Sequence, residues 1–394
     1  MAVRAQWQLA VVGLGTAAVQ LDTAVNIGFP AITRGFGLAT AEIRWVVISY
    51  VLTYASLLLA FGRLGDRLGH ARVFRVGLAW TAAAHLLCAA AASFEALLAA
   101  RVLQGVGAAL VLSGGPALAT GLFDEAARTR ILGSFAMMVG VAATLGPWIG
   151  GALVAHWDWP AVFWFRVPVA LLALALFRPG AAAAVAGPAP PPARRLLDVL
   201  ALRAPGFLAV NVASVVVNFA AFVVWLLVPY FLGRVAGLEP GLGGAVLSMG
   251  AVGGILASLA GGRAIGRVAP PRAAAFGALL VAAGLLLGGA WGERSGLALL
   301  VATLVLQGIG LALFQLAYTD IVTATLPRGD RGVAGSLTIL TRTMGTVGAA
   351  ALLLPLFEIL QADIGFLPAF GALFLGLSAL PLAAAILLPW LARR

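Results

Sequence analysis

Two ionisable residues stand where an apolar chain should hold none. Asp22 lies about fifteen residues into an apolar run that begins at Trp7, so at about 1.5 Å per helical residue it sits roughly 22 Å from one bilayer surface, inside the far half. A charged carboxylate in hydrocarbon is costly, and intramembrane acids face cavities or partners far more often than lipid. Such a group is suited to taking and releasing a proton. Asn26, one turn on, shares its face. Arg101 lies about five residues inside a later run of opposite direction, ~6 to 8 Å below the same far surface, so the two depths coincide. The expected arrangement is an Asp22–Arg101 pair across the bundle, with exchange of that partner for a proton or a cationic ligand as the chemistry. The plain alternative is a structural ion pair, because removing either member would leave a buried charge uncompensated.

Arg342, near the middle of another run, attracts an anionic ligand group, balances Asp320, or joins helices. Arg166 follows Trp164 and Phe165 near the end of its run and is expected to snorkel toward the interface or brace it. Tyr50, Tyr54, Gln104, Met137, Met138, Trp225, Phe314, Gln315 and Tyr318 are the candidate lining of a cavity for a lipophilic ligand, against the plain reading that membrane aromatics pack or anchor. His85 and His156 show no metal spacing, and there is neither a phosphate-binding loop nor a nucleophile with its base. No metal, no cofactor and no enzymatic activity are expected, which leaves an ion gradient as the energy source.

These residues must be positioned by membrane helices. The chain has 394 residues, 62% hydrophobic and 10% charged, whereas about a quarter of a soluble domain is charged. Continuous apolar runs without period-two alternation exclude a barrel. Runs of about 20 residues can cross the hydrocarbon, and twelve are read: about 7 to 29, 44 to 62, 73 to 92, 97 to 120, 131 to 154, 161 to 178, 206 to 232, 242 to 262, 273 to 291, 296 to 319, 332 to 356 and 366 to 390. The first is long enough to span, and no cleavable signal is expected before it. The single cysteine, Cys88, excludes an intrachain disulfide.

A net charge of +11 would suggest nucleic acid in a soluble protein. Here all basic residues are arginines, and they fall mainly in alternate loops, with only Arg34, Arg44, Arg234 and Arg294 in the opposite ones. That asymmetry orients the chain with both termini cytoplasmic in the cell membrane, and argues for a lipid bilayer and against nucleic acid as its partner. A monomer is expected. Between runs six and seven, residues 179 to 205 hold an alanine run, Pro188 to Pro192 and Arg194-Arg195, which reads as a cytoplasmic linker with a short interfacial helix at Leu196 to Leu202. Residues 1–178 and 206–394 are then two six-helix halves.

The halves repeat. Gln104-Gly105-Val106-Gly107 returns as Gln307-Gly308-Ile309-Gly310, and Gly133-Ser134, Thr144 and Gly146 return as Gly335-Ser336, Thr346 and Gly348. The charged turn Gly62-Arg63-Leu64-Gly65-Asp66-Arg67-Leu68-Gly69-His70-Ala71-Arg72 has a weaker copy at Gly262-Arg263-Ala264-Ile265-Gly266-Arg267. Matches in one order at an offset of about 200 residues mark a duplicated unit.

Two six-span halves in parallel repeat, with a charged glycine turn between spans two and three, resemble the major facilitator superfamily over nearly the whole chain. The turn resembles that family's signature loop, with His70-Ala71 in place of the usual basic pair. The resemblance implies a conformational latch of Gly62, Asp66, Arg67, Gly69 and Arg72 at the cytoplasmic ends of the halves. Within the family, Leu21-Asp22-Thr23-Ala24-Val25-Asn26-Ile27-Gly28-Phe29-Pro30 and Arg101-Val102-Leu103-Gln104-Gly105 resemble motifs of the drug:proton antiporter branch. Gly133, Gly146-Pro147 and Gly150-Gly151 resemble its span-five pattern, with Ala142 where glycine is usual, and imply a helix bend that seals the protein against leak. Gly335-Ser336 to Arg342 and Gly345 resemble a late span of the 14-helix members, whose middle pair of helices this chain lacks.

The expected fold is all-α and integral to the membrane. The expected function is proton-coupled efflux of small hydrophobic or cationic compounds by alternating access. Uptake or exchange of a small metabolite anion, anchored by Arg342, is the alternative within transport. A non-transporting receptor or assembly factor on the same scaffold is the alternative of another class.

Overall fold

The computed structural model describes residues 2–121, 123, 127–178, 205–264, 268–325 and 331–391. The linker up to residue 204, its interfacial helix and the end of the second charged turn lie outside them. Every regular element among the described residues is helical. One compact unit gathers Met1–Leu38 and Trp45–Pro192; the other gathers Ala39–Arg44 and Ala193–Arg394.

In the first unit, α1 (Ala2–Gln20) does not run straight through the membrane. It tightens into a 3-10 turn at Leu21–Thr23, resumes as α2 (Ala24–Ile27), and continues as α3 (Phe29–Phe36). A 3-10 turn inside a helix is a place of strain or hinging, and Asp22 sits in it. Then follow α4 (Arg44–Leu68), α5 (His70–Ala89), α6 (Phe94–Gly121), α7 (Arg128–Trp157), the single turn α8 (Ala161–Trp164) and α9 (Arg166–Leu176). In the second unit come α10 (Pro205–Arg234), α11 (Pro240–Ala264), α12 (Pro270–Gly289), α13 (Leu297–Thr325), α14 (Arg331–Ile364) and α15 (Phe366–Leu391).

Among the described residues, ten helices are long and apolar enough to cross a membrane, against the twelve spans read from the sequence. The two that fall short do so for different reasons. α5 has the length, but its first turns carry Arg72 and Arg75. The stretch Ala161–Leu176 is shorter than a full span and is interrupted at Phe165.

The charged turn also differs from its expected shape. α4 does not stop at Gly62; it continues to Leu68, since leucine and arginine favour helix. Those six further residues extend it by about 9 Å, and Asp66 and Arg67 end up exposed. The reversal itself is left to Gly69, whose φ of 90° only glycine adopts without strain. Across it, His70 Nε2 lies 3.2 Å from Asp66 Oδ1.

The second unit is sealed by aromatic packing. Phe370 stacks on Phe374 with ring centroids 4.2 Å apart, and Phe231 lies against Phe370 at 4.9 Å and Trp291 at 5.1 Å. Contacts of this kind hold α10, α12 and α15 together without polar groups.

Candidate functional site

α7 lies against the Asp22 turn backbone to backbone. A Cβ added to Gly150 would come 2.7 Å from the Ala24 carbonyl oxygen and 2.9 Å from Ala24 Cα, and one added to Gly146 would strike Thr23 Oγ1. Only glycine permits that approach, and Thr23 Oγ1 uses it to donate to the Ala143 carbonyl at 2.9 Å. The span-five glycines do not act as one set. Gly133 is exposed with nothing within 4 Å of an added Cβ, whereas Gly146, Gly150 and Gly151 are buried. The helix runs unbroken through Pro147.

Held this way, Asp22 becomes the centre of an ionic cluster. Arg101 grips it with both ends of its guanidinium, Nη1 donating to Oδ1 at 2.7 Å and Nη2 to Oδ2 at 3.1 Å. The paired geometry is the strong form of this interaction. Arg166 Nη1 donates to Oδ1 at 2.9 Å and Gln104 Nε2 to the same oxygen at 2.8 Å. Arg101 is further fixed by donation from Nε to the Val46 carbonyl and from Nη1 to Gln104 Oε1, and its guanidinium lies 4.2 Å from the centre of the Tyr50 ring. Cys88 Sγ donates to Gln104 Oε1 at 3.5 Å. The arginine side chains are 2% and 0% exposed, while Asp22 keeps 16%. The acid is therefore the most exposed ionic member of the cluster. Two guanidiniums against one carboxylate leave the cluster a surplus positive charge.

The depth calculation thus brought Asp22 and Arg101 together, but Arg166 is corrected. It does not snorkel; it is wholly buried, with Nε donating to the Val162 carbonyl and Nη1 to Asp22. The signal available in the sequence was its place, two residues before Pro168 in an apolar stretch too short to carry it to the surface. Gln104 and Tyr50 are also not free cavity wall: both are buried and engaged with the pair. Asn26 is half-buried and takes no part in the cluster's hydrogen bonds among the described residues.

The other cavity candidates separate by burial. Tyr54 is half-buried beside Tyr50, their ring centroids 5.3 Å apart, and Met138 packs against the same core, while Met137 is 60% exposed. In the second unit, Phe314 and Tyr318 are buried and stacked, so they are packing rather than lining. Tyr318 Oη donates to Asn211 Oδ1 at 2.8 Å and lies 3.0 Å from Thr341 Oγ1, which in turn meets Ser214 Oγ at 3.0 Å. This network joins α10, α13 and α14 through neutral groups. Trp225, Gln307 and Gln315 line a groove of about 180 Å³ in the same unit. Arg342 is exposed and forms no ion pair with Asp320 among the described residues. No cluster of metal-binding side chains occurs among the described residues.

Comparison with known proteins follows from this geometry. The chain is 28% identical over 409 residues to the multidrug efflux pump LfrA of Mycolicibacterium smegmatis, a match covering 90% of this chain and 81% of that protein. It is 41% identical over 168 residues to a methylenomycin A resistance protein of Bacillus subtilis, a stretch that spans 36% of the relative's length. Among solved structures, the nucleoside transporter NupG superposes with a TM-score of 0.80 at 12% identity, covering 98% of both chains. An inward-facing, occupied bacterial homologue of the lysosomal transporter Spinster superposes at 0.79 with 17% identity, covering 98% of this chain and 96% of that one. At such identities the likeness concerns the fold alone. The sequence profile described as Major Facilitator Superfamily matches residues 12–350, and the chain therefore belongs to that superfamily.

Proposed function

We propose that this protein is a proton-coupled exporter of small hydrophobic or cationic compounds. The observation that carries this is the Asp22 carboxylate, held by Arg101 inside a helix break yet still 16% exposed. An acid in that position has two alternatives, ionised with its guanidinium partner or protonated with the partner released. Each is compatible with one state of a two-state transporter. Relatives named for drug efflux and antibiotic resistance support the direction of transport.

On this view the chain crosses the membrane twelve times, with α5 and the pair α8–α9 completing the count. Residues 1–178 and 206–394 form the two halves, joined by a cytoplasmic linker at 179–205, and both termini are cytoplasmic. The turn from Gly62 to Arg72 serves as the cytoplasmic latch, and the contact of Gly146 and Gly150 with the Asp22 turn transmits protonation to α7. The protein works as a monomer, and the groove beside Trp225 and Gln315 contributes to the substrate site.

The test is substrate-induced pH change in proteoliposomes under an imposed proton gradient, screened over cationic, neutral and anionic compounds. Hydrophobic compounds are expected to move protons in the native protein and not in Asp22→Asn. Undiminished coupling in that variant would end the proposal. Exchange of a small organic anion is the second reading, favoured by the surplus positive charge around Asp22; a response to organic acids alone would select it.

A further inference from the structure

The side of Arg166 that faces away from Asp22 is the least explained part of the molecule. Its Nη2 is buried and has no hydrogen-bond partner among the described residues. The same is true of both ring nitrogens of His85 and of Thr81 Oγ1, and Arg166 and His85 are each 0% exposed. A buried donor without a partner costs about 1–3 kcal/mol, and more when it is charged. Natural structures tolerate few such groups, and several together call for an explanation.

Arg166 and His85 belong to one neighbourhood, while Thr81 Oγ1 faces Gly107 of α6. α5 packs on α8 and α9. Ala82, on the turn before His85, packs in one cluster with Val167, the residue next to Arg166. Cys88, on the turn after His85, reaches Gln104 and so the opposite side of the Asp22 cluster. His85 lies between these two contacts and feels the charges of Arg166, Asp22 and Arg101. Thr81 stands one turn before it on α5. The charged and titratable groups gathered here are thus Asp22 from the 3-10 turn, Tyr50 from α4, Cys88 from α5, Arg101 from α6 and Arg166 from α9.

Arg166 and His85 can both act as donors, through a guanidinium N–H and one N–H of a neutral imidazole. The neighbourhood also holds the surplus positive charge left by two arginines against one acid. We propose that Arg166 and His85 form a buried site for a small monovalent anion of halide type, which balances that charge. A neutral water would satisfy the donors and leave the charge. A larger anion is excluded by the complete burial of Arg166 and His85.

Bromide is the probe. The full chain, purified in detergent, is unfolded by heat in chloride, bromide or gluconate at one ionic strength, and crystals soaked in bromide are measured at its absorption edge. Chloride and bromide are expected to raise the unfolding temperature by several degrees over gluconate, with an anomalous peak in contact with Arg166 Nη2 and His85. Arg166→Gln is expected to abolish both the shift and the peak, and His85→Ser to raise the half-saturating halide concentration at least about tenfold, the loss of one good contact at roughly 1.4 kcal/mol. If Arg166→Gln does not fold, His85→Ser alone decides. Equal unfolding in halide and gluconate, a halide shift that survives in either variant unchanged, or density for water alone at this position would overturn the site.

Discussion

Replacing Asp22 by asparagine keeps the shape of the side chain and removes the carboxylate that both arginines share, so its cost follows from the geometry. Arg101 and Arg166 place donor nitrogens 2.7 and 2.9 Å from Oδ1. With charge centres about 4 Å apart and an effective dielectric near 20, each pair is worth about 4 kcal/mol. The variant loses both attractions and leaves two buried guanidiniums repelling one another. Offset by the desolvation that the carboxylate no longer suffers, breaking a buried pair costs about 3–5 kcal/mol. At about 1 °C per kcal/mol for a chain of this length, the unfolding temperature falls by roughly 5 °C. The informative measurement is a double-mutant cycle by thermal unfolding in one detergent. Arg166→Gln destabilises the native protein, but in the Asp22→Asn background it removes an unpaired charge and restores about half of the lost stability. A change of sign between the two backgrounds is the signature of direct coupling. Asp22→Asn unfolding within a degree of the native protein, or Arg166→Gln costing the same in both backgrounds, would refute the ionic cluster as described.

Three further outcomes follow from local contacts. Gly150→Val forces side-chain atoms against Ala24; overpacking of this kind costs about 1–3 kcal/mol, seen as a lower unfolding temperature together with loss of proton coupling. Gly133→Ala on the same helix meets nothing and gains up to about 1 kcal/mol in the same assay. Tyr318→Phe removes the hydroxyl that donates to Asn211, leaving a buried amide oxygen unpaired at about 1–2 kcal/mol, measured by thermal unfolding of the full chain.

Depth was readable in the sequence and direction was not. Asp22 and Arg101 were paired because each interrupts an apolar run at a depth that counting residues supplies. Arg166 was misplaced because the count treats the run from 161 to 178 as one rod, whereas the helix breaks at Phe165 and the side chain turns toward Asp22 rather than the interface. The same limit affects the aromatics: Phe314 and Tyr318 lie at mid-membrane depth, but only their neighbours decide that they are buried. Helix ends were the other weak point. α4 passes the expected end at Gly62 by six residues because the leucines and arginines of Arg63 to Leu68 outweigh Gly65 as helix formers. The Gly146 and Gly150 contacts were visible as small residues in a row, but small residues do not name the surface they are small for.

The duplicated chain has treated its two copies unequally. Gln104 reaches the Asp22 carboxylate with Arg101 one turn behind it, whereas Gln307 reaches only a backbone oxygen, that of Ala221, and Leu304 stands one turn behind. The second copy holds the amide without the ions, and a recess is bounded there by Trp225 and Gln307. Natural variants that alter which compounds are tolerated are expected to accumulate around the recess, and those that uncouple the machine around Asp22.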